Sequence, residues 1–171
     1  MSACLIRSAT PADAAAINSL FNPYIERSTA TFITQPFTLE QRLAWFADHP
    51  DKHPIIVAVC DGIVVGYGAL STFRARAAYA QTAEVAVYIR ADFHRRGIGR
   101  MIIGELQARA RVLGHHTLVG VCCSESEASI GLLESCGFTR AGHLHQVGRK
   151  FDRWLDIVIL EQVLADTMRS A

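Results

Sequence analysis

Several features that would mark a membrane, secreted or nucleic-acid-binding protein are missing from this sequence. No run of about 18 apolar residues is present, so we expect no transmembrane helix. The first residues include Arg7 and Asp13 and hold no long apolar stretch, which is unlike a signal peptide. A formal net charge of +1 gives no general attraction to nucleic acid or to an anionic membrane. We therefore expect a cytoplasmic protein that binds neither.

Cysteine is scarce and its spacing is uninformative. Five cysteines occur, with no Cys-x-x-Cys pair and no zinc-ligand spacing among cysteines and histidines: Cys4, Cys60, Cys122, Cys123 and Cys136. We expect reduced thiols, no disulfide framework and no metal. The 171 residues also contain no repeat and no Pro-, Gly- or Ser-rich linker, which predicts a single domain over residues 1–171.

Hydrophobic patterning and local start signals predict an α/β fold. Thr10, Pro11 and Asp13 are typical of a helix start, and Asp61-Gly62 joins two β-branched runs in the manner of a hairpin. The predicted order along the chain is β-α-α-β-β-β-α-β-α-β-β. Hairpins require antiparallel pairs and a β-α-β unit requires a parallel pair, so the sheet should be mixed.

The segment IRADFHRRGIGRMIIGEL, residues 89–106, reads as the end of a strand, a glycine turn and a helix. Such a helix start presents N–H groups to an anion, and glycine lets the backbone approach it closely. A Rossmann fingerprint is excluded because Ile102 stands where its third glycine would be, and a P-loop is excluded because no Gly-Lys-Ser/Thr follows. A pyrophosphate cradle and a glycine turn without a ligand are the remaining interpretations.

The turn resembles motif A of the GNAT superfamily of acetyl-CoA-dependent N-acyltransferases, Gln/Arg-x-x-Gly-x-Gly/Ala. Three further segments resemble its phosphinothricin and methionine sulfoximine acetyltransferase branch: NPYIERSTATFITQPFTLEQRLAWF, FRARAAYAQTAEVAVYI and QVGRKFDRWLDIVILEQ. The resemblance implies a mixed, mostly antiparallel central sheet flanked by about four helices. It also implies acetyl-CoA as cosubstrate, no metal, and a homodimer.

The resemblance implies that acetyl-CoA is bound mainly through backbone N–H groups, aided by a bulge that splays one central strand. The implied binding residues are Val87, Tyr88, Ile89, Arg95, Arg96, Gly97, Ile98, Gly99, Arg100, Ser126 and Ser135. Three positions depart from the pattern. His94 replaces the Gln/Arg of the motif, Ser126 replaces an Asn that touches the pantetheine arm, and Leu133 replaces a His or Tyr that in many relatives can protonate the thiolate.

Glu84 is the candidate general base. A carboxylate inside an apolar strand is costly to bury unless it is used or paired, and burial raises its pKa toward a useful value. An ion pair with Arg74 or Arg76 would explain the same residue without catalysis. The resemblance places the catalytic Glu of the family at this position, acting through a water.

The acceptor amine should be bound by a polar loop close to Glu84. Arginine binds carboxylates with two hydrogen bonds, so Arg74 and Arg76, with Tyr79, suit an amino-acid-like acceptor. The resemblance adds Phe32 as a wall of the same pocket. A solvated loop for the arginines, and a core anchor of its own loop for Phe32, are the alternative interpretations. We expect Lys150 and Asp156 to be turn charges and Trp154 a core aromatic, and relatives usually carry Gly at the position of Asp152.

These observations together predict transfer of an acetyl group from acetyl-CoA to the primary amine of a small amino-acid-like acceptor. Phosphinothricin, methionine sulfoximine and methionine sulfone are the acceptor types that the resemblance implies, with direct attack in a ternary complex. Another amine, such as a different amino acid, a polyamine or a protein N-terminus, is an alternative. A CoA-binding sensor without activity is a third interpretation, suggested by Ser126 and Leu133.

Overall fold

The computed structural model describes residues 4–164. The strands of this part of the chain are β1 (Cys4–Ser8), β2 (Ile55–Cys60), β3 (Ile63–Thr72), β4 (Thr82–Ile89), β5 (Thr117–Cys123), β6 (Thr139–Lys150) and β7 (Arg153–Val163). The helices are α1 (Ala14–Arg27), α2 (Leu39–Ala47), α3 (Ile98–Val112) and α4 (Glu127–Ser135). This order is the predicted one.

The seven strands form one mixed sheet in the order β1-β2-β3-β4-β5-β7-β6. Neighbouring strands are antiparallel except β4 and β5, which are parallel and are joined by α3. The predicted fold class, a mostly antiparallel sheet flanked by four helices, is confirmed.

None of the helices within residues 4–164 has the length and apolar character needed to cross a membrane.

Local signals account for where the first two helices begin. Thr10 and Asp13 form a capping box around a short 3₁₀ turn at Pro11–Asp13, which leads directly into α1. Asp13 also binds the Arg7 guanidinium at 2.7 Å, and these hydrogen bonds lower the pKa of its carboxyl to about 2. Thr38 caps α2 by accepting the Gln41 N–H at 3.1 Å. Each cap satisfies N–H groups that a helix start would otherwise leave without partners.

Two hydrophobic clusters cover the two faces of the sheet. On one face α1 and α2 pack around Phe21, Ile25 and Tyr67. On the other face α3 and α4 pack around Ile102, Leu106 and Leu133. Because both faces are covered, the central strands carry apolar side chains on both sides.

Glycines on β3 bring α3 close to the sheet. A Cβ atom at Gly68 would collide with the Ile102 side chain and lie 3.0 Å from Leu106 Cδ1. At Gly66 it would lie 3.1 Å from Ile102 Cδ1. The absence of these side chains lets the helix lie directly on the strand, which fixes where its N-terminus stands.

The expectation of reduced thiols without a disulfide is wrong for one pair. Cys4 on β1 and Cys60 on β2 are directly opposite each other in the antiparallel register, with Cα atoms 4.3 Å apart, and they form a disulfide. The pair lies 56 residues apart in sequence, so only the strand pairing brings it together. Cys122, Cys123 and Cys136 are free thiols, and the first two are buried.

Replacing Gly68 by alanine should destabilise the protein by about 1–3 kcal/mol, because the added methyl group forces α3 away from β3. Gly104→Ala is the matched control, since Gly104 lies on the exposed side of α3 with open space around its Cα. That variant should be up to about 1 kcal/mol more stable than the parent, from helix propensity. Urea unfolding midpoints measure both, and equal effects would contradict the close contact.

Candidate active site

The parallel pairing of β4 and β5 is short. It covers only Thr82–Thr117, Ala83–Leu118 and Glu84–Val119. Beyond Glu84, β4 continues to Ile89 against β3, and β5 continues to Cys123 against β7. The two central strands therefore separate after Glu84 and leave a gap between them.

The N–H groups of β4 alternate between β3 and this gap. Arg90, which follows β4, donates its N–H to Val65 O at 2.8 Å, on the β3 side. In an antiparallel pair every second N–H points the same way, so Tyr88 also donates toward β3, while Val87 and Ile89 point into the gap. Of the three predicted donors, Val87 and Ile89 are well oriented and the backbone of Tyr88 is not.

The separation arises without the expected bulge. The β3–β4 register is continuous from Gly66–Ile89 to Thr72–Ala83, without a shift. The gap results instead from β5 following β7 while β4 follows β3. The directions of β4 and β5 are therefore set by their antiparallel outer neighbours, β3 and β7.

Glu84 is the last residue of β4 that pairs with β5, and it lies at the apex of the gap. Its side chain is half-buried, and burial raises the pKa of its carboxyl above the ordinary value of 4.5. Among residues 4–164 no salt bridge pairs it, so neither Arg74 nor Arg76 forms the ion pair that was the alternative explanation. A carboxylate placed in this way can accept a proton.

An aromatic cluster supports the end of β4. The Tyr88 ring packs edge-on against Phe21 at 4.5 Å and against Tyr24 at 5.4 Å, and it stacks on Tyr67 at 5.5 Å. Burial raises the pKa of Tyr88 to about 12, so its phenol keeps its proton.

His94, which stands at the Gln/Arg position of the motif, has a role in this support. Its Nε2 lies 3.0 Å from Ile89 O and 2.9 Å from the Tyr24 hydroxyl, which itself donates to Ile89 O at 2.5 Å. The replacement thus ties the glycine turn to the end of β4. An Arg or Gln is not needed for that link.

The glycine turn leaves a series of N–H groups available. The first backbone hydrogen bond of α3 runs from Met101 N–H to Gly97 O at 3.2 Å. Within the described part of the chain, no backbone acceptor binds the N–H groups of residues 95–100. Arg95 and Gly97 both have left-handed backbone, with φ of 59° and 82°. Such a turn makes a concave, anion-binding series of N–H groups.

Side chains of the turn have different roles from its backbone. Arg95 and Arg96 are exposed, and the Arg96 guanidinium lies 4.6 Å from the centre of the Phe93 ring. Gly99 is buried against α4, where a Cβ atom would lie 2.8 Å from Leu132. Ile98 is part of the core. The geometry favours an anion held by the backbone, with the arginines secondary.

Helix α4 borders the far side of the gap. Ser126 is its N-cap residue, and its hydroxyl makes no capping hydrogen bond. Ser135 donates to Leu132 O at 2.7 Å and accepts from Arg100 Nε at 3.2 Å, so it links α4 to the start of α3. Leu133 is buried against Gly120 of β5 and is a packing residue.

The loop between α1 and α2 is attached to the β6–β7 hairpin. The Phe32 ring lies against Gly148, where a Cβ atom would overlap it. Lys150 is 5% exposed and donates from Nζ to Thr31 O at 2.7 Å. The expectation that Lys150 is a turn charge is therefore wrong, since its ammonium holds a backbone carbonyl.

Two other expectations for this hairpin are also wrong. Trp154 is 61% exposed and is not a core aromatic. Asp156 lies within β7, where it accepts hydrogen bonds from His143, His145 and the Gln146 N–H. Asp152, in contrast, fits its turn with a φ of 58°, in the left-handed region that aspartate tolerates better than most residues.

The predicted acceptor loop is exposed. Arg74, Arg76 and Tyr79 lie in the connection from β3 to β4, which contains a short 3₁₀ turn at Ala77–Tyr79. The Tyr79 ring packs edge-on against Phe73 at 5.7 Å, and the Arg74 guanidinium lies 5.2 Å from the same ring. Their role in binding an acceptor stays a prediction.

A cavity of about 740 Å³ lies elsewhere, between the α2–β2 connection and the C-terminal end of α3. It is lined by His49, His53 and Arg109, among others, and does not include Glu84. The candidate site is therefore assigned from the separation of β4 and β5 and from the free N–H groups, which bear directly on the chemistry.

Comparison with known proteins gives a consistent result. A family model described as acetyltransferase (GNAT) domain matches residues 6–159. An L-methionine sulfoximine/L-methionine sulfone acetyltransferase of Pseudomonas paraeruginosa is 38% identical over 97% of both chains. A phosphinothricin N-acetyltransferase of Streptomyces coelicolor is 33% identical over 93% of this chain and 95% of its own. A Salmonella typhimurium acetyltransferase solved with acetyl-CoA superposes with a TM-score of 0.92, at 32% identity, covering 97% of this chain and 96% of its own.

Valine at Gly97 or Gly99 should weaken binding of acetyl-CoA, the ligand that the resemblance implies, by about tenfold or more. Gly97 needs left-handed backbone and Gly99 has no room for a side chain beside Leu132. Arg95→Ala removes an exposed charge and should cost only a few-fold. Calorimetric titration of the three variants, checked for folding by circular dichroism, measures the order. A larger loss for Arg95→Ala would contradict binding by the backbone.

Proposed function

We propose that this chain, which belongs to the GNAT acetyltransferase family, transfers the acetyl group of acetyl-CoA to the primary amine of a small amino-acid-like acceptor. The proposed acceptors are of the methionine sulfoximine, methionine sulfone or phosphinothricin type, as in the relatives' names. The chain is an acetyl-CoA-dependent N-acetyltransferase, and the general base, the ternary complex and the acceptor are the parts that we propose.

One observation carries this proposal. Glu84 is a half-buried carboxylate without an ion-pair partner among residues 4–164, at the apex of a gap whose open end leads to the glycine turn. An acyl donor anchored at the turn and extended along the gap would bring its carbonyl group toward this carboxylate. A structural acid would be expected to have a cationic partner instead.

The turn supplies the anchor for the pyrophosphate of acetyl-CoA. Its N–H groups at residues 95–100 are unused by the protein backbone of the described part of the chain, and the helix dipole of α3 adds to the attraction. Val87 and Ile89 direct their N–H groups into the gap, where they can bind the pantetheine amides and the acetyl carbonyl oxygen. Ser126, whose hydroxyl makes no capping hydrogen bond, would hydrogen-bond to the same pantetheine arm.

Glu84 then removes the proton that the attacking amine must lose. The acceptor arrives as an ammonium ion, which has no lone pair for attack. The raised pKa of Glu84 brings its basicity closer to that of the amine, which favours transfer of the proton through one water molecule. The freed amine attacks the thioester carbonyl directly in a ternary complex, and donors in the gap stabilise the negative charge that develops on oxygen.

The remaining groups argue against an acyl-enzyme route and against a dedicated acid. Cys122 lies near Glu84, but burial raises the pKa of its thiol to about 11, so it is not a thiolate nucleophile at neutral pH. Leu133 cannot donate a proton. Because alkyl thiols have a pKa near ~8.5, the CoA thiolate leaves without a protein acid and solvent can protonate it.

We assign recognition of the acceptor to the exposed loop between β3 and β4. Arg74 and Arg76, in the loop that leads into β4, are suited to bind the carboxylate of an amino acid with paired hydrogen bonds. Tyr79 and the ring of Phe32 complete the proposed pocket from two directions. The homodimer and the cytoplasmic location stay predictions; exposed apolar side chains on β6 and β7, such as Trp154 and Leu144, are compatible with a subunit contact.

The acceptor class is tested by thiol release from acetyl-CoA with a panel of amines. We expect turnover with methionine sulfoximine, methionine sulfone or phosphinothricin, and much less with a polyamine or an N-terminal peptide. The decarboxylated analogue of methionine sulfone is the matched control, since it keeps the side chain and lacks the group that the arginines would bind. Equal turnover of that analogue would contradict carboxylate recognition, and silence of every amine despite tight acetyl-CoA binding would favour the sensor.

Glu84→Gln should lower kcat by about 10²–10⁴ while leaving acetyl-CoA affinity nearly unchanged. In the parent protein kcat/KM should fall as the pH drops through the pKa of Glu84, which burial raises above 4.5, because a protonated carboxyl cannot accept a proton. The variant should lack this acidic limb. Initial rates across pH, with binding titrations as the control for folding, measure both effects. Normal turnover with an unchanged pH profile would exclude Glu84 as the base.

A further inference from the structure

We propose that His143, His145 and Asp156 form a binding site for one divalent transition-metal ion of the zinc type, separate from the acetyl-transfer site. These three residues each offer one ligand atom, and the atoms lie within 4.8 Å of one another. The ion would have a binding role in the β6–β7 hairpin and no part in the reaction.

The strand geometry brings the three side chains together. His143 and His145 are two residues apart on β6, and side chains at that spacing share a face of a strand. His143 pairs with Val158 in the antiparallel register, and Asp156 lies two residues before Val158 on β7, so its side chain is on the same face as that of Val158. The two imidazoles and the carboxylate therefore project from the same face of the hairpin.

The carboxylate is oriented by the backbone and not only by the histidines. The β6–β7 register shifts between Leu144 and Gly148, and Gln146 has left-handed backbone with a φ of 52°. This bulge turns the Gln146 N–H toward Asp156 Oδ1, at 2.8 Å. One carboxylate oxygen is thus held in place while Oδ2 stays directed at both imidazoles, as outer hydrogen bonds hold the ligands of many metal sites.

The carboxylate oxygen lies close to the spacing from each imidazole that a metal ion would need. Asp156 Oδ2 lies 3.0 Å from His143 Nε2 and 2.9 Å from His145 Nδ1. Around a tetrahedral zinc ion with bonds of about 2.0–2.2 Å, ligand atoms stand about 3.3–3.5 Å apart. The two imidazole nitrogens lie within 4.8 Å of each other. Side-chain rotations that widen the two oxygen–nitrogen distances slightly and bring the nitrogens to the same spacing would open a position for the ion between the three atoms.

A hydrogen-bonded trio without an ion is the competing explanation. In that arrangement both imidazoles donate to one carboxylate oxygen, and the two rings lie side by side with centroids 4.4 Å apart. A metal ion would replace both shared protons and would join the rings and the carboxylate in one set of bonds. Titration with a metal ion distinguishes the two explanations, because only a metal site would bind the ion at these three residues.

The ligand set indicates the kind of ion. Two imidazole nitrogens and one carboxylate suit Zn²⁺, Co²⁺, Ni²⁺ or Cu²⁺, whereas Ca²⁺ and Mg²⁺ require mostly oxygen ligands. His143 and His145 have 46% and 75% of their side chains exposed, and Asp156 has 28%. An ion can therefore enter from solvent, and water would complete its coordination.

The site lies two strands away from the proposed general base, because β5 separates β7 from β4. The Asp156 carbonyl accepts the N–H of Ser124, which connects the hairpin to the start of the β5–α4 loop. A bound ion would hold β6 against β7 beside this loop and would stabilise the folded chain by mass action.

The test uses the full, untagged chain after treatment with EDTA. Calorimetric titration with ZnCl₂ should show one ion per chain, and Co²⁺ should give an absorption spectrum of nitrogen and oxygen coordination. His145→Gln and His143→Gln should each weaken binding by about tenfold or more. His116→Gln is the matched control, since His116 is an exposed histidine outside the cluster and should leave binding unchanged.

Three results of the binding experiments would overturn the proposal. They are absence of binding by the parent, equal binding by the parent and the two cluster variants, and a cobalt spectrum with a thiolate charge-transfer band, which would place the ion at a cysteine. Thermal unfolding in EDTA separates loss of binding from misfolding, because the His143 and His145 variants keep the Gln146–Asp156 hydrogen bond. Acetyl transfer by the EDTA-treated parent should equal that of the zinc-loaded protein, and a loss on chelation would contradict a site outside the reaction.

Discussion

The site depends on how soon the two central strands part. β4 and β5 are paired over three residues and then follow different antiparallel neighbours. Continued pairing would use the N–H groups of Val87 and Ile89 in the sheet and would close the space above Glu84. Because the pairing stops at Glu84, one interruption supplies the donors, the space and the half-buried position that raises the pKa of this carboxyl. The proposed chemistry depends on the sheet mainly through this one interruption.

Most of the fold could be predicted because its signals are local. The cap at Thr10, the Asp61-Gly62 hairpin and the turn before α3 each depend on a few adjacent residues, and each is found where the sequence indicated it. The failures concern residues whose partners are distant in sequence. The Cys4–Cys60 disulfide requires the β1–β2 register, and the buried ammonium of Lys150 requires a carbonyl 119 positions away.

The candidate site shows the same division. Glu84 could be predicted because a carboxylate in an apolar strand is unusual in itself, and the glycines because their spacing is visible in the sequence. The direction of the Tyr88 N–H could not be predicted, because it depends on which residue pairs of β3 and β4 exchange hydrogen bonds. His143, His145 and Asp156 were missed because their proximity depends on the hairpin register. The only local sign of this cluster in the sequence is the His-x-His pair on one strand.

The bond from Lys150 to Thr31 O joins two distant parts of the chain, the β6–β7 hairpin and the loop between α1 and α2. The β6–β7 hairpin holds the loop that carries Phe32 in two ways: the buried ammonium of Lys150 binds the loop, and Gly148 leaves space for the Phe32 ring. Changes in the hairpin would therefore shift Phe32, the proposed wall of the acceptor pocket. Grafting the loop alone onto a relative would transfer Phe32 without its support, so the proposed wall of the acceptor pocket could be transferred only as the loop together with the hairpin.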